Sequence, residues 1–357
     1  MLSRFTARNF RNLQPLALEP AAGSHLFLGG NGAGKTSVLE AIYVLATTRS
    51  FRAAQIADCV HHGEASFQLT GEVETDRRTT LAVGWSQGAR ERSVNGKPTP
   101  LADHLEVLPV VAWAAAEAEV LVGAPRARRR FMDRGVVASR PAALEVLGRY
   151  REALRHKREL LFQDAAGLEV WNELLAATAA EVIRLRETYV TALQQALSAV
   201  LAEADMPFPP VEIRYQPSPS RGLEGPEAIA ASFGRMAERE RRRQQPLLGP
   251  HRDELEILWG GHEIRRVASA GERKSFSLLL LAAHGKVMEA AGRSPLYLLD
   301  DADAELAPPT LAAVWRCFSG MLEGDRQLLV TSNRPQAWLA LPVGSVWQVE
   351  KGRLAPL

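Results

Sequence analysis

An α/β fold assembled from both ends of the chain, with a helical lobe inserted between them, is predicted by three features of the sequence. A short apolar run, Leu26-Phe27-Leu28, leads through a glycine-rich turn into the helical spacing of Val38, Leu39, Ile42 and Leu45. Towards the other end a second apolar run, Leu296 to Leu299, stops at two aspartates. Between them Leu147, Leu154, Leu161 and Leu168 fall seven apart, and Leu175, Val182 and Tyr189 continue the step.

Residues 1–135 read as the N-terminal part of the α/β domain, with β-rich insertions. Phe67 to Val73, Thr80 to Trp85 and Arg92 to Val94 alternate as strands do, and Asn95-Gly96 is a hairpin signal. Leu105 to Trp113 reads as a further apolar strand. Residues 136–245 form the helical lobe, where two long helices fold back on each other at Asp164-Ala-Ala-Gly167. Four spaced leucines do not make a zipper, so the expectation is a bundle. Pro207 to Pro226 is a Pro/Ser/Gly-rich loop around the strand Val211 to Tyr215, and a charged helix runs through Arg243. Residues 246–357 return to α/β. Glu254 to Trp259 and His262 to Val267 flank Gly260-Gly261 as a hairpin. A helix follows Gly271, another follows Pro309, and Leu328 to Val330 is a strand.

At 357 residues, 46% hydrophobic and 24% charged, the chain has ample length for a core and a second lobe, and collagen-like and disordered readings are excluded. Two cysteines, Cys59 and Cys317, provide no disulfide framework. Met1 to Phe10 lacks the apolar segment of a leader, and Phe276 to Ala283 is too short to span a bilayer. A cytoplasmic protein without membrane association is expected.

Gly29-Gly-Asn-Gly-Ala-Gly34-Lys35-Thr36 fits G-x-x-x-x-G-K-[ST] between a strand and a helix, the context that gives the pattern meaning. Gly29, Gly30, Asn31, Gly32, Ala33 and Gly34 would turn backbone N–H groups around a phosphate chain, with Ser37 in the following turn. Lys35 would reach the β/γ oxygens and Thr36 would offer its hydroxyl to Mg²⁺. Only six of the 43 basic residues are lysines, yet one stands here, where a compact ammonium fits and a guanidinium fork does not.

Such a site needs a carboxylate to hold the metal. At the end of the strand Leu296 to Leu299, Asp300 would complete the Mg²⁺ shell and Asp301 would orient or activate the attacking water. Earlier in the chain, ahead of this acid pair, Ser269-Ala270-Gly271-Glu272-Arg273 opens a helix. By itself it is a capping box. Between the loop and the acid pair it resembles the Ser-x-Gly-Gln signature of ABC-type ATPases, which implies that Ser269 and Gly271 meet the γ-phosphate held by a second subunit.

Taken together, these motifs resemble the RecF family of SMC-like ABC ATPases, from Asn9 to Asn333. Asn9-Phe10-Arg11-Asn12-Leu13 is similar to the family's opening motif, and Leu39-Glu40-Ala41-Ile42 to its helix after the loop. Gly123, Pro125, Arg128-Arg129-Arg130-Phe131 and Asp133 match G-x-P-x-x-R-R-x-F-x-D; Gly249-Pro250-His251-Arg252-Asp253 matches G-P-H-R-D. The resemblance implies an ABC-type P-loop ATPase head with an inserted helical-hairpin lobe, Arg11 as a nucleotide contact, and ATP with Mg²⁺. It also implies slow, DNA-stimulated hydrolysis, an ATP-dependent homodimer at single-/double-stranded junctions or gaps, recombinase loading, SOS induction, and RecR and RecO partners.

The chain departs from the family pattern in four places. Ala115-Ala116-Glu117 stands where Pro-Glu-Asp is usual, and Glu272 stands in place of Gln. Ala304 and Ala307 replace Ser and Asp, and the switch strand ends Thr331-Ser332-Asn333 without the histidine of transport-type ABC proteins. A transport-complex ATPase subunit, a small-molecule P-loop kinase and a clamp that binds ATP without hydrolysing it share parts of the signal.

The net charge is only +2, from 43 Lys+Arg against 41 Asp+Glu, but it is unevenly spread. Arg126 to Arg158 holds ten Arg and one Lys against Asp133, Glu145 and Glu152, giving +8. Arg235 to Arg243 adds five Arg against two Glu. Such clusters suit phosphate backbones, and Arg128, Arg129 and Arg130 are the candidate DNA contacts.

Overall fold

In a computed structural model, which describes residues 1–74, 77–163, 167–219 and 225–357, the chain forms two compact units. The first comprises Met1–Ala118, Ala196–Pro207 and Ser269–Leu357; the second comprises Glu119–Gln195 and Phe208–Ala268. These divisions differ from the predicted boundaries at 135/136 and 245/246. The helix Pro125–Ser139 belongs with the second unit because Arg128 on it pairs with Glu254 and Asp133 with Arg186. The predicted break at Asp164-Ala-Ala-Gly167 falls, but for Gly167, outside the described residues.

Two six-stranded sheets organise the first unit. One is antiparallel, in the order Leu16–Leu18, Leu2–Arg8, Ser66–Glu74, Arg78–Ser86, Ala89–Val94, Lys97–Pro98. Its Asn95-Gly96 turn has φ of 51° and 75°, the left-handed pair that the dipeptide favours. The other runs Arg353–Pro356, Ser345–Glu350, Gly23–Leu28, Gln327–Ser332, Leu296–Leu299, Val110–Trp113, parallel except at its first join. Gln327–Ser332 and Leu296–Leu299 are buried throughout, as parallel strands covered on both faces must be. Helix Lys35–Thr47 lies in the core shared by the sheets, with Val38, Leu39, Ile42 and Leu45 fully buried among Phe5, Leu69, Leu81, Leu298 and Leu329.

This strand order decides where chemistry can happen. Leu28, Ser332 and Leu299 end neighbouring parallel strands, so the residues that follow them emerge at one edge. Ligands of open α/β sheets bind outside such carboxyl ends.

Two predicted strands are shorter than their apolar runs. Leu101–Val107 is a helix whose His104 is buried, with Nε2 2.7 Å from Leu45 O, and the strand begins only at Val110, after Pro109. After Gly260-Gly261 only His262–Glu263 pairs with Glu254–Trp259; Ile264–Val267 turns helical.

Helices Ala143–Gln163, Leu168–Ala204 (its last turns counted with the first unit) and Pro226–Arg243 accompany a three-stranded antiparallel sheet in the second unit. All seven heptad-spaced residues, from Leu147 to Tyr189, are buried. Ile229 and Phe233 of the third helix join Leu147, Leu154, Leu175 and Val182 in one cluster, so the pattern makes a bundle and not a two-stranded zipper. Among the described residues no helix is long and apolar enough to cross a membrane.

Candidate functional site

The glycine-rich loop closes around its own lysine. Gly34 caps helix Lys35–Thr47 at φ 114°, a conformation that a side chain would strain, and a Cβ on Gly29 would stand 2.4 Å from Val349 O. Lys35 Nζ donates to Gly29 O at 2.9 Å and to Gly30 O at 3.0 Å. Two of the three ammonium donors are used inside the loop, which leaves one for the cleft that Lys35 lines. The first turn of the helix carries no acidic residue, so its positive end is uncompensated and suited to an anion. Asn12 braces the loop: its Nδ2 donates to Gly32 O at 2.9 Å and its Oδ1 accepts from Ser37 Oγ at 2.8 Å. The Ser37 hydroxyl is thus committed to positioning.

Asp300 meets Thr36 directly. Its Oδ1 accepts from Thr36 Oγ1 and from Thr331 Oγ1, each at 2.8 Å. Burial raises the Asp300 pKa, opposed by these two hydroxyls and then by Arg52 and Lys35. Asp301 is held at φ 47°, an outlying conformation for a non-glycine residue, with its N–H on Thr331 Oγ1 at 2.8 Å. Its Oδ1 is buried without a hydrogen-bond partner, and its pKa is raised by burial and next by Asp300. The Thr36 hydroxyl and the Asp300 carboxylate form a hard-oxygen pair that suits Mg²⁺. Among the described residues no group of three or more His, Cys, Asp or Glu could hold a metal unaided. An ion here would therefore share its ligands with bound phosphates, as Mg²⁺ commonly does.

Between loop and acids lies a cleft of about 510 Å³, lined by Asn31 to Ser37, Asp301, Arg11, Asn12, Arg52, Asp58, Val60, His61 and His62. Arg11, at φ 51°, is fixed by a two-pronged contact to Glu40, Nε to Oε2 at 3.0 Å and Nη2 to Oε1 at 2.7 Å. Asn333 Nδ2 donates to Asn31 Oδ1 at 3.0 Å, which joins the switch strand to the loop without a histidine. Sequence reasoning missed Asn12, Arg52 and the Asp58 to His62 segment as cleft walls. They come from segments joined by the Phe10–Val60 bridge, and no spacing in the chain announces that contact.

Ser269 and Gly271 are not among the cleft's lining residues. Ser269 caps helix Ala270–Ala290: its side chain accepts from Glu272 N, and the Glu272 carboxylate accepts from Ser269 N at 2.7 Å. That reciprocal pair holds the Glu272 carboxyl below its ordinary value. Beyond its chain neighbours and its own helix backbone, no atom of the described residues lies within 4 Å of where a Cβ on Gly271 would stand. One turn on, Lys274 donates to Asp301 O at 3.1 Å and to Ala304 O, and sits 5.0 Å from the Trp113 ring centre. The signature helix is thereby tied to the segment after the acid pair.

The two most specific motifs meet inside the second unit. Arg128 is buried, with Nε and Nη2 on the Glu254 carboxylate at 2.6 and 2.9 Å and Nη1 on Gly123 O at 2.9 Å. Arg129 Nη1 donates to Asp253 O at 2.9 Å. Arg186 spans Asp133 at 2.8 Å, Asp253 at 2.7 Å and Pro250 O at 2.6 Å, while Tyr215 OH also bonds Asp253. Arg128, one of the three expected DNA contacts, is instead committed to the Glu254 carboxylate and to Gly123 O within the unit. Arg129 is partly covered by the same network, and only Arg130 of the three is exposed. Burial could not be read from an arginine run.

The profile of the RecF/RecN/SMC N-terminal domain matches residues 1–341. The DNA replication and repair protein RecF of Geotalea daltonii is 33% identical over 314 residues, covering 85% of this chain and 86% of that protein. RecF of an Anaeromyxobacter species is 31% identical over 367 residues, covering 100% of this chain and 99% of that protein. A solved structure described as the recombination mediator protein RecF-ATP in the RecFOR pathway is similar in fold, with TM-score 0.87 at 24% identity, covering 100% of this chain and 97% of that one. With a family profile that spans nearly the whole chain, and relatives above 30% identity over most of their own length, this chain belongs to the RecF family.

Proposed function

We propose that this chain binds ATP with Mg²⁺ in the cleft, closes on a second copy of itself, and in that state holds DNA at gaps during recombinational repair. The observation that carries the reading is the Thr36–Asp300 bond, which brings the phosphate loop and the metal-holding acid together across 264 residues of sequence. Lys35 and the loop N–H groups would grip the β- and γ-phosphates, and Thr36 and Asp300 would hold Mg²⁺. Bound Mg²⁺ supplies charge neutralisation on the phosphates. Asp301, with its raised pKa and unpartnered oxygen, would orient the attacking water and take up its proton.

Ser269 and Gly271 would complete the site of a second subunit. Their absence from the lining of the chain's own cleft and the open space over Gly271 favour that arrangement. DNA would lie on exposed arginines of the second unit. These are Arg126 and Arg130, Arg151 and Arg158 on helix Ala143–Gln163, and Arg235, Arg239, Arg241 and Arg243 on or ending helix Pro226–Arg243. Family membership supports work with RecR- and RecO-type partners, recombinase loading and SOS induction as further parts of this reading. Family membership also argues against the transporter-subunit and small-molecule-kinase readings. Sedimentation with and without ATP and gapped DNA tests the proposal: a dimer that needs ATP and engages DNA is expected, and a monomer under all conditions refutes it.

A further inference from the structure

Three arginines gather beside the antiparallel sheet of the first unit with no acid to balance them. Arg90 and Arg92 lie on strand Ala89–Val94, two residues apart and therefore on one face, while Glu91 between them belongs to the other. Arg90 stands across from Trp85, and Arg92 across from Val83. Trp85 and Val94 pack, partly buried, against the core, so the two guanidiniums sit at its rim. Arg90 Nη1 donates to Thr48 Oγ1 at 3.3 Å, which brings the strand to the C-cap of helix Lys35–Thr47. Arg49 follows that cap directly. Burial, and then the charges of Arg49 and Arg92, lower the Arg90 pKa. Arg49 and Arg90 are exposed and Arg92 is half-buried, and among the described residues none of the three pairs with a carboxylate.

We propose that Arg49, Arg90 and Arg92 form a separate DNA surface on the first unit, which takes backbone phosphates of duplex DNA. The inference rests on the DNA reading given above and adds a footprint that the second unit's arginines do not supply. Like charges held together repel, and an anion with several oxygens relieves that repulsion on binding. The negative end of the helix offsets only about half a unit of charge, so most of the three remains uncompensated. Arg92 Nε donates to Thr99 O at 2.7 Å and Arg90 gives one N–H to Thr48, so each side chain is held while most of its five donors face outwards for phosphate. Along the strand the two lie about 7 Å apart, close to two steps of about 3.4 Å along one DNA strand. An acidic polypeptide would want apolar anchors beside the charges. Among the described residues none of the exposed large hydrophobic side chains lies on this sheet. The surface is also at the far end of the 13-residue helix from Lys35 and Thr36, about 20 Å along its axis, so DNA here does not compete with nucleotide in the cleft.

The test is a titration of the full chain, wild type, Arg90→Ala/Arg92→Ala and Arg49→Ala, with gapped duplex DNA at several salt concentrations in the presence of ATP and Mg²⁺. The double variant is expected to bind DNA about tenfold or more weakly, with the slope of log K against log salt lowered by about two, and Arg49→Ala should lower the slope by about one. Both variants should keep the wild-type affinity for ATP, which shows that the fold of the unit is intact. Should the double variant fail to fold, Arg49→Ala, at an exposed position, decides the matter. Parallel titrations use inorganic pyrophosphate and poly-glutamate. Unchanged DNA affinity and slope in the variants overturn the proposal. Loss of pyrophosphate or poly-glutamate binding with the DNA slope intact overturns it too, by assigning the surface to free phosphate or to an acidic polypeptide. A wild-type chain that binds no duplex DNA refutes instead the reading on which the proposal rests.

Discussion

Thr36 Oγ1 donates to Asp300 Oδ1 across 2.8 Å, so the first turn after the phosphate loop and the end of a strand 264 residues later share one hydrogen bond. The contact follows from strand order. Gly23–Leu28 and Leu296–Leu299 both pair with Gln327–Ser332, and all three run parallel. Thr331 completes the arrangement by donating to the same Asp300 oxygen and accepting from Asp301 N.

Lys35→Met should weaken ATP binding about 100-fold, the scale of one or two charge-assisted hydrogen bonds. The loop loses the two Lys35 bonds to Gly29 O and Gly30 O but should keep its fold through Gly34 and the Asn12 bonds to Gly32 and Ser37, which do not depend on the ammonium. Calorimetric titration checks the affinity, and unchanged binding would remove Lys35 from the phosphate site.

Asp301→Asn should slow hydrolysis by roughly two to four orders of magnitude, the range for losing a general base. Nucleotide binding should persist, and an ATP-bound dimer should accumulate. A steady-state rate equal to wild type would assign the base elsewhere.

Arg128→Ala should lower folding stability by about 2 kcal/mol or more, because it leaves the Glu254 carboxylate without its partner. Arg151→Glu with Arg158→Glu should leave stability nearly unchanged and weaken DNA binding. The slope of log K against log salt should fall by roughly one for each phosphate that the variant no longer neutralises. Denaturant melts and DNA titrations at several salt concentrations separate the two classes. Equal loss of stability in both would contradict the assignment of Arg128.

The contrast between these arginines marks how far the sequence was legible. The phosphate loop, the acid pair and the capping box were readable because each is a local pattern whose chemistry depends on spacing along the chain. The heptad-spaced residues were readable too, since periodic apolar positions report the buried face of a helix. Leu105–Val107 misled because a short apolar run satisfies strand and helix equally until a tertiary contact, here His104 to Leu45 O, decides. The network of Arg186, Asp133, Asp253 and Tyr215 was illegible for another reason. Its members come from segments far apart in sequence, and nothing local distinguishes a buried arginine from a solvated one.

His251 gives a pH signature. Its Nδ1 lies 2.7 Å from Tyr150 OH and its Nε2 3.3 Å from Pro246 O, and burial, together with Arg158, Arg252 and Lys157, depresses its pKa from 6.5 to about 3. The folded state holds the ring neutral, whereas the unfolded chain protonates it below 6.5. Its contribution to stability is complete above that value and declines as pH falls towards 3, by up to about 1.4 kcal/mol per pH unit. Denaturation of wild type and His251→Asn at pH 7 and pH 5 should show a shallower loss in the variant. Parallel losses would mean that His251 is not held neutral.

Glu272→Gln should strengthen ATP-driven association. The amide oxygen can still accept from Ser269 N, so the cap survives, while the negative charge that would face a partner-held γ-phosphate disappears. Weaker association in the variant would contradict the placement of this helix at a second subunit's nucleotide.

Sedimentation velocity of the wild-type chain, with saturating ATP and Mg²⁺ against none, bears most directly on the central claim. The proposed composite site requires a shift from the 39.1 kDa monomer to twice that mass, lost again in Lys35→Met and in Ser269→Arg. A species of 39.1 kDa that binds ATP yet never associates would contradict it.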